Sequence, residues 1–161
     1  VQQFAVHESF IYPNWPNDIA LLKLTVTFDF AKSQGHIGAV CLPAKDRPLE
    51  GTVDVSGWGD TSEGGPSPSH LLAVSVPVIS STNCTRETPN MYDSKIMFCT
   101  KSPGKGTCHG DSGGPAVLKE SDSSILVGVV SGGEICAVTP AVFTKVPVYI
   151  DWISENIAKL Q

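Results

Sequence analysis

Among the side chains of this sequence, the hydroxyl of Ser112 is the best placed for covalent chemistry. It lies in Gly106-Thr107-Cys108-His109-Gly110-Asp111-Ser112-Gly113-Gly114-Pro115. A nucleophilic hydroxyl needs close approach between substrate and backbone, and flanking glycines supply the room. Gly110 is free to adopt a conformation in which its N–H and that of Ser112 point at one spot, the arrangement of an oxyanion hole. A bare Gly-x-Ser-Gly is equally compatible with a Gly-rich turn between two strands. The longer run ending in Gly-Gly-Pro, with Cys108 before it and Cys136 after it, is far more specific.

That run heads a series of landmarks: Asn17-Asp18-Ile19-Ala20-Leu21-Leu22, Val40-Cys41-Leu42-Pro43, Ser56-Gly57-Trp58-Gly59, Val130-Ser131, Val142-Phe143-Thr144-Lys145-Val146 and Trp152-Ile153. In this order they resemble the chymotrypsin family of secreted serine endopeptidases over nearly the whole chain. The resemblance implies an all-β fold of two antiparallel barrels with a C-terminal α-helix, the first barrel incomplete here. It also implies Ser112 as nucleophile and Asp18 as the acid that orients an imidazole. Gly110 and Ser112 then form the oxyanion hole. Asp111 pairs with a newly freed N-terminal amine, and Val1-Gln2-Gln3-Phe4 does not match that terminus. By the same resemblance Gly106 lies at the base of the substrate pocket, with Thr107, Ser131, Gly132, Gly133 and Ala141 lining it, and neither cofactor nor metal is involved.

Hydrolysis through an acyl-enzyme needs a base to take the proton of Ser112. His7, His36 and His70 match no catalytic landmark, and His109 falls at a variable rim position, so all four read as surface imidazoles. The expectation is a two-chain enzyme, cut again ahead of Val1, in which a second polypeptide supplies the catalytic histidine. Gly106 stands where trypsin-like members carry an aspartate, so apolar side chains, leucine or aromatic, are expected before the cut; Glu134 is the acid closest to changing that. Gly132 replaces a tryptophan usual in the family, and Trp15, just ahead of Asp18, is a candidate to refill the space. The remaining partners are protein or peptide substrates and protease inhibitors. A different class stays open beside the enzyme: a protease-like binding protein that keeps the fold and cuts nothing.

To position these residues the chain offers short apolar runs divided by turns. Strands are expected at 1–6, 19–24, 53–56, 71–76, 96–98, 116–118, 125–130 and 141–143. Residues 1–24 are the last strands of the first barrel, 25–51 the inter-barrel connection, 52–146 the second barrel and 147–161 the helix. Ile150, Ile153, Ile157 and Leu160 recur at helical intervals there. The stretch 62–69, rich in Ser, Gly and Pro, reads as an exposed, mobile, protease-sensitive loop.

The five cysteines and the sequon Asn83-Cys84-Thr85 favour a secretory, extracellular setting and mark Asn83 for glycosylation. The family pattern pairs Cys84 with Cys99 and Cys108 with Cys136. Cys41 is left over for an interchain bond, to the second polypeptide or to an activation peptide, with a free or buried thiol as the alternative. Another family bridge falls on Val53 and Leu118, which should touch instead. A net charge of −5 over 161 residues argues against nucleic acid or an anionic membrane as partner. Apolar runs stay well short of the ~20 residues that span a bilayer.

Overall fold

A computed structural model describes residues 1–13 and 15–160. Asn14, in the loop before Asp18, and Gln161, the last residue expected in the helix, lie outside the described residues. Two sheets form. β1 (Gln3–Val6) and β2 (Ala20–Lys23) pair antiparallel with Phe4 opposite Leu22. The larger sheet is a closed six-stranded barrel. Its strands are β3 (Thr52–Gly57), β4 (Leu72–Ile79), β5 (Met97–Thr100), β6 (Pro115–Lys119), β7 (Ser124–Gly132) and β8 (Ala141–Lys145), in the order β3-β4-β5-β8-β7-β6.

The expected strands are all present, with shifted ends. β4 runs three residues further than the apolar alternation indicates. Thr52 to Gly57 pair with Pro77 to Leu72, and beyond Pro77 the strand changes partner, so that Val78 faces Thr100 and Ile79 faces Cys99 on β5. Pro77 lacks an N–H to donate and sits where the ladder hands over from one neighbour to the next. The helix α1 (Ser81–Glu87) lies outside the expectation: Ser80 caps it, its hydroxyl accepting the Asn83 N–H at 3.3 Å.

At the C-terminus the single expected helix is two pieces. A 3-10 turn (Val146–Tyr149) with a proline in its first turn leads into α2 (Ile150–Lys159). Pro147 is accepted there because the first turn of a helix has no use for its N–H. Ile153 is buried between α2 and the barrel, whereas Ile157 is exposed rather than part of the packed face. Trp152 closes the seam, stacking on His7 with ring centroids 5.1 Å apart. His7 also meets Tyr149 edge-on, so it is a packed, half-buried ring and not the surface imidazole expected.

Val53, Val55, Val76, Phe98, Ala116, Val127, Val130 and Phe143 fill the barrel. Phe98 and Phe143 stack at 5.0 Å, and Gly128 makes room for them: a Cβ on it would lie 2.5 Å from the Phe98 ring. Asp54 faces Val117 across β3 and β6. One residue further, the same register sets Val53 opposite Leu118, which packs against the cluster containing Val53.

Both expected disulfides are present, Cys84 with Cys99 and Cys108 with Cys136. Cys41 is free and exposed. Its backbone clips the 25–51 connection onto the barrel, its N–H donating to Ser124 O and its carbonyl accepting from Leu126 N. No helix among the described residues is long and apolar enough to cross a membrane.

Candidate active site

Two chain reversals meet at the site. One is the loop from β5 to β6, which carries residues 106–114. Gly110 (φ 96°) and Gly113 (φ 81°) sit in the left-handed region, which side-chain-bearing residues enter at a cost of about 1–2 kcal/mol. A Cβ on Gly110 would also lie 3.2 Å from Gly59 Cα. The N–H groups of Gly110 and Ser112 have no acceptor among the described residues, although their neighbours Asp111, Gly113 and Gly114 all donate. Ser112 is exposed.

Asp111 points the other way, inward. Its Oδ1 accepts from Gly59 N at 2.8 Å and its Oδ2 from Cys108 N at 2.9 Å. The glycines of Ser56-Gly57-Trp58-Gly59 are a cradle for this carboxylate: an ideal Cβ would come within 2.0 Å of it on Gly57 and 2.4 Å on Gly59.

The second reversal leads into β2 and carries Asp18. Ser131 Oγ donates to Asp18 Oδ2 at 2.8 Å, and Thr144 Oγ1 donates to the Asp18 carbonyl at 2.7 Å. Ser131 reaches it because the β7–β8 register slips between Val130 and Gly132. A bulge of this kind leaves one residue unpaired and re-aims its side chain. Next door, Tyr149 OH donates to Asn17 Oδ1 at 2.9 Å, and Asn17 Nδ2 donates to Ser9 O at 3.0 Å. Burial, with the charges of Asp93 and Asp18, pushes the Tyr149 phenol up to about 12, so it remains a donor throughout the ordinary range.

Ser112 and Ser131 line one cavity of about 150 Å³, together with Thr107, His109, Gly132, Gly133, Glu134 and Ala141. Among the substrate-pocket residues expected from the sequence, Gly106 is the exception. It borders a neighbouring cavity of about 260 Å³ with Gly57, Gly59 and Asp111. Thr107, Cys108, Cys136 and Ala137 border both cavities and so stand between Gly106 and the first. Trp15 lines the first cavity and covers Gly132, where an added Cβ would lie 2.6 Å from Cζ3 of the indole.

The 62–69 stretch is exposed, as expected, but well tied. Thr61 N donates to Pro66 O, Ser67 Oγ donates to Asp60, and Glu63 reaches over to the site. Glu63 Oε2 accepts Cys136 N at 2.9 Å, while Oε1 lies 3.0 Å from His109 Nε2. The Cys136 N–H and then His109 hold the Glu63 carboxyl below the usual range; its hydrogen bond and charge in turn push the His109 imidazole up. His109 is therefore engaged at the rim, while His36 and His70 are exposed. A cluster of Glu63, Cys108 and Cys136 comes together as metal-ligand types do, but the disulfide between the two cysteines leaves no thiolate to coordinate.

A family model described as Trypsin matches residues 1–153. The chain belongs to the Trypsin family. Similar proteins include Trypsin-1 of Astacus astacus, 39% identical over 160 residues, which cover 97% of this chain and 66% of that protein. Trypsin delta of Drosophila erecta is 36% identical over 97% of the chain and 61% of its own length. Serine proteinase stubble of Drosophila melanogaster is 36% identical over 98% of the chain, which spans 21% of that longer protein.

Proposed function

We propose that the protein containing this chain is a serine endopeptidase that hydrolyses peptide bonds through an acyl-enzyme on Ser112. The observation that carries the reading is that Ser112 opens onto the same cavity as Ser131, whose hydroxyl holds Asp18. This supports a nucleophile and an acid that act at one site from separate elements. Ser112 Oγ attacks the substrate carbonyl and gives its proton to an imidazole, which passes it to the leaving amine. The N–H groups of Gly110 and Ser112 receive the oxyanion. Water then repeats the sequence and frees the acyl group.

The imidazole comes from a second polypeptide in this reading. His7 is stacked on Trp152, His109 is bound to Glu63, and His36 and His70 lie exposed without a bond to Ser112 or Asp18. Residues 1–24 are the last strands of a first barrel that the partner completes, followed by the connection 25–51, the second barrel 52–146 and the C-terminal helix 147–161. Cys41, free and exposed, is the covalent tether. Asp111 takes a freed N-terminal amine, and the cavity of about 260 Å³ beside its carboxylate supports that role. The protein is an extracellular zymogen in this reading, glycosylated at Asn83, which lies exposed on α1. Its partners are protein substrates and protease inhibitors rather than nucleic acid or membrane.

The substrate side chain before the cut is apolar in this reading, because among the described residues the first cavity carries no acid besides Glu134, which lies at its exposed rim. Peptides with Leu, Phe, Tyr or Met at that position should be cut faster than those with Arg or Lys. A clear preference for Arg would contradict the pocket assignment. The chemistry itself is tested with a fluorophosphonate on the assembled protein: label should appear on Ser112 and vanish in Ser112→Ala. Label elsewhere, or none, would overturn the reading.

A further inference from the structure

We infer that Tyr149 is a positioning residue for Asp18: it holds the residue on each side of the acid, Asn17 and Ile19, and so sets the direction in which the carboxylate faces the imidazole. The inference rests on the endopeptidase reading for its consequence, the orientation of an imidazole. Tyr149 ends the 3-10 turn ahead of α2, 132 residues from Asn17 in the sequence, and is 4% exposed. Its hydroxyl donates to Asn17 Oδ1 at 2.9 Å, and its ring belongs to the buried cluster of Ile19, Val146 and Ile153. One side chain thus grips both chain neighbours of Asp18, the first by a hydrogen bond and the second by packing.

The grip falls on the part of the chain that fixes the direction of the acid. Asn17 is in the left-handed region (φ 57°), and Ile19 N donates to Asn17 O at 2.8 Å, so Asp18 is the middle residue of a three-residue turn. Asparagine enters that region more readily than most residues but still against its preference, and local bonds are what keep it there. Both ends of its amide are tied, Oδ1 to Tyr149 and Nδ2 to Ser9 O at 3.0 Å. Without the Tyr149 bond Asn17 relaxes toward an ordinary backbone basin, which rotates the peptide leading into Asp18 and pulls its carboxylate from the Ser131 hydroxyl. The phenol suits this task because it does not titrate in the ordinary range. Burial first, then the charges of Asp93 and Asp18, push it up to about 12, and His7 lies edge-on against its ring at 5.4 Å. A neutral donor holds the turn without adding a charge that would compete with the imidazolium.

The test uses the mature full-length protein and a chromogenic peptide anilide with leucine before the scissile bond, whose cleavage reports acylation. Tyr149→Phe, which keeps the ring and deletes the hydroxyl, should lower kcat about fivefold with KM changed less than about twofold. It should also move the acid limb of the kcat/KM profile down by about half a pH unit, because a loosely held carboxylate stabilises the imidazolium less. Asn17→Gly, which accepts the left-handed backbone but lacks the tether, should give the same two changes, and the double variant should lose no more than either alone. Asn17→Gly also covers the case in which Tyr149→Phe fails to fold. A fall in Tm with kcat and the acid limb at wild-type values would reduce Tyr149 to core packing and overturn the assignment, as would additive losses in the double variant. Crystal structures in a Ser112→Ala background should show the Asp18 carboxylate turned away from Ser131 Oγ in Tyr149→Phe; an unmoved carboxylate would overturn the assignment too. Wild-type protein that cleaves nothing, with the carboxylate displaced in Tyr149→Phe, would refute the endopeptidase reading and leave the positioning role standing; Ser112-dependent cleavage indifferent to Tyr149→Phe would do the reverse.

Discussion

Asp18 is fixed at both of its functional ends, its carboxylate by the Ser131 hydroxyl and its carbonyl by Thr144. Removing the first bond leaves the acid in place but free to turn. A hydrogen bond to a charged group contributes about 1.5–3 kcal/mol, so Ser131→Ala should lower kcat/KM roughly tenfold or more in the assembled enzyme. Asp18→Asn, which would favour the wrong imidazole tautomer, should cost about 10⁴ in kcat. Both are checked by steady-state kinetics alongside thermal melts showing an intact fold. Ser112, Asp18, Gly110 and Asp111 could be singled out from the sequence because each belongs to a contiguous motif. Ser131 was legible as a lining residue but not as the support of Asp18. That role depends on a bulge set by the register of strand partners 10 or more residues apart in sequence, which no local pattern encodes. Gly106 borders the neighbouring cavity, with Thr107, Cys108, Cys136 and Ala137 shared between the two, a partition that no local pattern encodes.

The loop elements depend on a few contacts that can be titrated or blocked. Glu63 links the 60–66 turn to both rims of the cavity, with Asp60 the other charge near His109. The imidazole is raised by its partner, so its contribution is complete below its ordinary value of 6.5 and is lost as pH rises through the higher folded value. Glu63 is lowered, so its contribution is complete above 4.5 and is lost as pH falls through the lower folded value. Limited proteolysis of this loop should therefore be slowest between those two ordinary values and faster on either side, and Glu63→Ala should flatten the profile. The cradle of Asp111 gives a steric prediction. Gly59→Ala places a methyl on a carboxylate already held by two N–H groups, so melting should show a loss of about 1–3 kcal/mol and Ser112 should lose reactivity toward a fluorophosphonate. Long periodic strands such as β7 were readable, whereas α1 escaped: Ser80-Ser81-Thr82-Asn83 has turn composition, and only the cap and the Cys84–Cys99 bridge make seven residues helical.

At the scale of the molecule the barrel and the small sheet differ in what they bury. Phe143 is wholly enclosed and stacked on Phe98, so Phe143→Ala should destabilise by about 3–5 kcal/mol, read as a drop in Tm with two-state melting. The sheet of β1 and β2 instead leaves Phe4 66% and Leu22 62% exposed. Two strands with an uncovered apolar face are prone to self-association. The 161-residue chain expressed alone should therefore aggregate, and on the two-chain proposal co-expression with a polypeptide that covers this sheet should restore a soluble complex; static light scattering separates the two outcomes. The barrel could be read from alternation and turns alone, whereas the expectation of a second polypeptide rested on the resemblance and on the lack of a histidine matching its catalytic landmark.

The proposed chemistry is tested most directly by mixing the assembled protein with an excess of a chromogenic peptide ester bearing leucine at the cleaved bond and following the first milliseconds. Acyl-enzyme formation at Ser112 predicts a burst of leaving group that approaches one equivalent per active site, followed by slower turnover, with both phases absent in Ser112→Ala. Turnover that persists undiminished in Ser112→Ala would contradict it.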